Sequence, residues 1–198
     1  MIVYHVDKSV LLLPGQKVAD IKKLVDGNKY IRNINDFFDG NLQMFALQTL
    51  KETECGDCSW VLTEAVLEYV RALKFAKLPS RLAVLYATRT IEEAEWWRRE
   101  TLPENPTACI VSLCTGRKVY SANFALRDEV YKRIAEFADV VRDAGPRETC
   151  AVLAHTLSAA ERYWRSIAAG LRMFSSRNMG REELLLVPPV RVIDRVYP

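Results

Sequence analysis

Leu82-Ala83-Val84-Leu85-Tyr86-Ala87-Thr88-Arg89-Thr90-Ile91-Glu92-Glu93-Ala94 is the stretch on which the reading of this chain turns. Leu82, Val84 and Tyr86 fall on one side of a two-residue repeat, so Leu82 to Ala87 predicts a strand with an apolar face. Thr90 and Glu93 then stand at capping-box spacing. The hydroxyl accepts from an orphan amide of the first turn while the carboxylate reaches back to the amide of Thr90. A helix should therefore begin near Ile91, carry Trp96 and Trp97 as packing anchors, and end before Pro103.

Upstream, Ile2 to Val6 is a β-branched and aromatic run that predicts a strand, closed by the turn around Pro14-Gly15. His5 shares its face with Val3 and Asp7. Residues 41 to 52 read as helical. A longer helix runs from Ser59 to Lys77, where Leu62, Val66, Tyr69, Leu73 and Ala76 recur at helical steps, and Pro79 closes it. Downstream, Cys109 to Cys114 predicts a strand, extending through a turn at Thr115-Gly116 to Val119 and Tyr120. Two amphipathic helices follow, one striped by Val130, Ile134, Phe137 and Val141. The other is striped by Leu153, Leu157, Ala160, Trp164 and Ile167, with Gly145-Pro146 as the turn between them. Glu183 to Val187 and Val190 to Val196 are short apolar strands around Pro188-Pro189, a pair suited to an edge or a bulge. Strands and helices do not alternate strictly, and no glycine-rich phosphate loop follows the first strand, so the class is α+β rather than a dinucleotide-binding α/β fold.

The chain has 198 residues, 49% hydrophobic and 27% charged, enough for one domain with a full core spanning 1–198 and far from the composition of a disordered chain or a rod. No apolar run approaches the roughly 18 residues of a membrane span, and Val10 to Leu13, near the start, is far short of a signal peptide's apolar core. Without an export signal, the five cysteines read as mostly reduced thiols of a cytoplasmic protein. The net charge of +3 permits a nucleic-acid partner without demanding one.

Few residues can carry chemistry. His155 lies on the polar face of its helix with Glu148, Ser158, Arg162 and Arg165 and reads as solvated. His5, inside a short strand, needs a hydrogen-bond partner or a ligand. Cys55 and Cys58 have the spacing of half a zinc site, but no second pair matches them, and Cys109 and Cys114 point to opposite faces, so no metal is assigned. From Arg162 onward, Arg162, Arg165, Arg172, Arg177, Arg181, Arg191 and Arg195 are opposed only by Glu182, Glu183 and Asp194. This basic end suits a phosphate-bearing molecule, a nucleic acid, or simply a solvated surface.

Three segments, in order, resemble the ADP-ribosyltransferase fold, especially the small bacterial group typified by rifampin ADP-ribosyltransferase and the related phage families. Tyr4-His5-Val6 is similar to that family's opening strand. Leu85 to Ala94 is similar to the strand-to-helix segment bearing its tyrosine, and Arg181-Glu182-Glu183-Leu184-Leu185-Leu186 to the late strand headed by its catalytic acid. The resemblance implies a split β-sheet with helical insertions and NAD as co-substrate. It implies that His5 holds a ribose of NAD and Tyr86 stacks on nicotinamide. Glu183 then binds the nicotinamide ribose and stabilises the cationic transition state. Ser80 and Arg81, just before the tyrosine strand, and Thr88, just after it, join the cofactor-binding candidates. Glu182 is the rival acid, and alternation puts it on the opposite face from Glu183.

The implied activity is that of a glycosyltransferase, a mono-ADP-ribosyltransferase acting on a protein, a nucleic acid or a small molecule, in the manner of toxins, effectors and phage-conflict enzymes. Departures from the family pattern are Arg181, where an acid or glutamine is usual, the long helical segment between His5 and Tyr86, and the helical pair at 126 to 169. A strand starting at Ile2 argues against a long disordered leader, while delivery into another cell stays open. A non-catalytic binding module of the same fold and a basic nucleic-acid-binding protein are the alternatives. Read without the resemblance, Tyr86 is a core tyrosine and Glu183 a solvated edge charge.

Overall fold

The computed structural model describes residues 1–8, 10–19, 59–101, 107–143, 146–170 and 182–197. The chain is α+β and divides into two compact units. The first comprises Met1–Leu24, Ala83–Phe124 and Ala169–Pro198, and the second Val25–Leu82 and Ala125–Ala168.

The first unit holds all the described strands, in two antiparallel sheets. In one, β1 (Ile2–Asp7), β4 (Cys109–Cys114), β7 (Val190–Tyr197) and β2 (Lys17–Val18) lie side by side in that order. In the other, β6 (Glu182–Leu186) lies between β3 (Leu85–Ala87) and β5 (Val119–Asn123). The β4 and β6 sequences are near-continuous apolar runs because both strands are central. Ile110, Val111, Leu113, Leu184, Leu185 and Leu186 are all fully buried. Helix α2 (Ile91–Thr101) follows β3 directly. Its capping box is formed: Thr90 Oγ1 accepts from Glu93 N at 3.3 Å, and Glu93 Oε2 accepts from Thr90 N at 3.2 Å and from Arg89 N at 3.1 Å. Trp97 packs edge-on against Phe124, ring centres 4.3 Å apart.

Three strand readings are corrected. The stretch past the turn at Thr115-Gly116 does not extend the same strand: β4 and β5 belong to different sheets. The chain turns between them, where Thr115 Oγ1 takes the amide of Arg117 at 3.0 Å. Likewise Pro188-Pro189, joined by a cis peptide, does not interrupt one edge but carries the chain from the centre of one sheet into the other. The tyrosine strand is also shorter than its alternation suggested. Arg81–Ala83 forms a 3-10 turn in which Ser80 Oγ accepts the Leu82 amide at 3.2 Å, removing a donor the ladder would need.

The second unit is helical. Helix α1 (Ser59–Lys74) packs on α4 (Pro146–Ala168), with Leu62, Val66, Leu67 and Val70 buried on one and Ala160, Tyr163, Trp164 and Ile167 on the other. Trp164 Nε1 donates to Leu67 O at 2.6 Å. Helix α3 (Phe124–Asp143) adds Val130 and Ile134 to the core of this unit. The expected helix over 41 to 52, Cys55, Cys58, Gly145, Arg172, Arg177 and Arg181 lie outside the described residues. Among the described residues no helix is long and apolar enough to cross a membrane, and no cluster of three or more metal-ligating side chains occurs.

Candidate functional site

Where β1 meets β3, the two strands form a single bridge and then part. Tyr4 N donates to Thr88 O at 3.0 Å and Thr88 N to Tyr4 O at 2.8 Å. If the antiparallel ladder continued, the next donor to the Tyr86 carbonyl would be the amide of Val6. Instead His5 Nδ1 donates to that carbonyl at 2.6 Å. The imidazole thus stands in for a missing rung, held between strands that would otherwise leave a peptide oxygen unsatisfied.

This contact fixes the tautomer. A carbonyl only accepts, so Nδ1 carries the proton and Nε2 of the neutral ring is an acceptor. Removal from water pushes the imidazole below its ordinary value of 6.5, an effect that Lys8 reinforces and that the Tyr86 carbonyl and Asp7 oppose. The ring is therefore neutral at pH 7 and offers Nε2 to a hydroxyl.

The second part of the site follows from sheet register. Tyr86 pairs with Leu185, and Leu185 with Tyr120, so these three side chains share one face. Two residues along, Thr88, Glu183 and Ala122 occupy the same face, and all three are buried. Tyr86 and Glu183 are diagonal neighbours on adjacent strands, a relation that sets Cα atoms about 7–8 Å apart. Thr88 Oγ1 also donates to Thr90 O at 2.9 Å, tying the face to the start of α2.

Glu182 points the other way. Its carboxylate takes Arg89 Nε at 2.8 Å and Arg89 Nη2 at 3.1 Å, and Ser121 Oγ also donates to it. Of the two adjacent acids, Glu183 is thus the one on the Tyr86 face.

Three segments far apart in sequence are now assembled within one unit: His5 on the Tyr86 carbonyl, Thr88 bridging Tyr4, and Glu183 on the Tyr86 face. A family model described as "Protein of unknown function (DUF2441)" matches residues 3–197. The chain belongs to the DUF2441 family. No curated protein matches it. The DUF2441 match takes in both compact units, and His5, Tyr86, Thr88 and Glu183 all lie inside it.

The remaining candidates lie elsewhere in this DUF2441 chain. Ser80 and Arg81 belong to the helical unit. Arg81 is 3% exposed; its Nε and Nη2 donate to Glu64 at 2.7 and 3.0 Å and its Nη1 to the Tyr163 hydroxyl. Its guanidinium is committed to a buried ion pair rather than offered to a phosphate. His155 is exposed, as its helical position indicates. In the basic end, Arg162 pairs with Glu129 and Arg165 with Glu161, while Arg191 and Arg195 are exposed. Arg89 and Ser121 escaped the sequence reading. The available signal was that Arg89 alternates with Thr88 as Glu182 does with Glu183.

Proposed function

We infer that this DUF2441 protein is a NAD-dependent mono-ADP-ribosyltransferase built on an ADP-ribosyltransferase-like split sheet. The observation that carries the reading is the convergence just described. The three segments that resemble the family meet in one unit, with the histidine on the backbone of the tyrosine and the acid on the tyrosine's face.

The chemistry asks for what these residues offer. Cleavage breaks the bond between ribose C1′ and the pyridinium nitrogen, and the electron pair returns to the ring. Nicotinamide therefore leaves neutral and no general acid is required. Positive charge is left on C1′ and its ring oxygen, where the carboxylate of Glu183 stabilises it from within a buried, weakly screened setting. Tyr86 supplies an aromatic surface for the nicotinamide ring, and His5 Nε2 an acceptor for a ribose hydroxyl. The acceptor nucleophile then bonds to C1′ and loses its proton to solvent. It is a protein, a nucleic acid or a small molecule, and the biological setting that fits is conflict between bacteria, phages or hosts.

The test is nicotinamide release from NAD by purified protein, with cell lysate as a source of acceptors, wild type beside Glu183→Gln. The amide keeps the shape and removes the charge, so release should fall about 100-fold or more with the fold intact. Absence of release and of NAD binding in the wild type would overturn the reading.

A further inference from the structure

Building on the transferase reading, we propose that Arg89, Glu182 and Ser121 form a positioning clamp that holds Glu183 in place from the opposite face of the sheet. The need for a clamp comes from where the ladder between β3 and β6 ends. Its last pair is Ala87 with Leu184, short of Glu183. The next hydrogen-bonded rung would join Arg89 to Glu182 through their backbones. That rung is missing because the capping carboxylate of Glu93 takes the Arg89 amide at 3.1 Å. On the β5 side the ladder is complete, with Ala122 opposite Glu183 and Asn123 opposite Glu182. Without another tie, the end of β6 that carries Glu183 would be anchored along one edge only.

The Arg89 side chain supplies that tie. Its two bonds to the Glu182 carboxylate replace the lost backbone rung, and Ser121 on β5 donates to the same carboxylate. One carboxylate thus joins all three strands next to the peptide that carries Glu183. The bidentate fork restricts rotation as well as separation. With side chains only 29% and 12% exposed, Arg89 and Glu182 are partly shielded from solvent screening. Glu93 makes the arrangement continuous with the N-terminus of α2, and so with Thr88 on the catalytic face. Arg89, Glu182 and Ser121 need not touch substrate; they act through Glu183.

The experiment measures kcat and KM for nicotinamide release by the full chain, with active protein counted by NAD-binding stoichiometry. The variants are Arg89→Ala, Glu182→Ala, their combination, Glu182→Gln, and the charge swap Arg89→Glu with Glu182→Arg. Small misplacement of a catalytic group costs up to about 100-fold, so each alanine variant should lose about ten- to a hundredfold in kcat, with KM for NAD within about threefold. The double variant should be no worse than the poorer single variant, Glu182→Gln should fall between wild type and Glu182→Ala, and the charge swap should regain part of the loss. A role in folding alone would lower the amount of active protein and leave kcat per active site unchanged. Should an alanine variant not fold, Glu182→Gln and the charge swap still decide the matter. An active wild type with kcat undiminished in these variants, or with losses that simply add, overturns the clamp alone. A wild type that neither binds NAD nor releases nicotinamide overturns the transferase reading and the clamp with it.

Discussion

Replacing Arg81 with methionine tests what the buried charges of the helical unit do. Arg81 and Glu64 are 3% and 8% exposed, and Arg127 is the other cation near Glu64, with Nε 3.8 Å from Oε1. Removing one partner of a buried pair costs about 3–5 kcal/mol because the other is stranded. Arg127 takes up part of that charge, so we expect about 3 kcal/mol, more than a hundredfold in the folded-to-unfolded ratio. The pH dependence has a definite sign. Burial alone would push the Glu64 carboxyl up, but Arg81 by charge and hydrogen bond, with Arg127, holds it below its ordinary 4.5. The contribution is therefore present above that value and lost as pH falls through the folded-state value. Urea unfolding followed by tryptophan fluorescence at pH 7 and pH 4 should show the difference between wild type and Arg81→Met shrink at the lower pH. Glu64→Leu combined with Arg81→Met should recover most of the loss, because an apolar pair leaves no stranded charge. A difference below about 1 kcal/mol at pH 7, the value of an exposed pair, or one that does not shrink in acid, refutes the reasoning. Affinity for NAD should be unchanged in folded Arg81→Met, since the guanidinium is already occupied.

The other predictions are smaller. His5→Ala strands the Tyr86 carbonyl and should cost about 1–3 kcal/mol, measured by urea unfolding, together with affinity for NAD measured by calorimetry. Because the folded-state imidazole titrates below 6.5, the unfolded chain binds the extra proton first, and stability should decline as pH drops below that value. That acid slope should be absent in His5→Gln. Thr90→Ala removes the α2 cap and should cost about 0.5–2 kcal/mol by the same unfolding assay, with Glu183→Gln as stable as before within that window. Val10 has φ of 55°, a left-handed conformation unfavourable to a β-branched residue, so Val10→Asn should raise the thermal midpoint by relieving about 1 kcal/mol of strain.

Local structure was legible wherever one residue type answers a local need. Thr90 and Glu93 announced the start of α2, and the cap formed as their spacing required. The stripes of α3 and α4 were readable at Val130 and Ile134 and at Ala160, Trp164 and Ile167, all buried, whereas that of α1 was not: Leu62 to Glu68 are buried on every side and Leu73 is exposed. Partnership between distant segments was not readable in this way. Alternation said that Glu182 and Glu183 face opposite ways, but nothing in Glu-Glu-Leu-Leu-Leu says which side carries Tyr86. That follows from pairing with Leu85–Ala87 on one edge and Val119–Asn123 on the other. Val119 and Tyr120 looked like a continuation of β4 past the turn at Thr115-Gly116 because β4 and β5 have the same local character and differ only in the sheet they join. Arg81 looked available for a phosphate because its partners, Glu64 and Tyr163, lie 17 and 82 residues away.

The candidate site is also where the regular pattern of the sheet fails. Each local irregularity there traces to a side chain that takes over from backbone. His5 donates to the Tyr86 oxygen where Val6 would have done so, and Glu93 accepts the Arg89 amide that β6 would have used. Arg89 then restores the lost tie through Glu182. A regular ladder spanning β1, β3 and β6 would bury these same backbone groups at less entropic cost, because no long side chain would need to be fixed. It would also close the edge at which β1 and β3 part. Keeping that edge open while pairing the Tyr86 carbonyl and the Arg89 amide takes polar side chains of defined reach at His5 and Glu93, with Arg89 restoring the tie to β6, around the face that carries Tyr86 and Glu183. These irregularities gather at the parting of β1 and β3, beside the face to which the transferase reading assigns Tyr86 and Glu183, so the proposed site and the departures from regular pairing coincide.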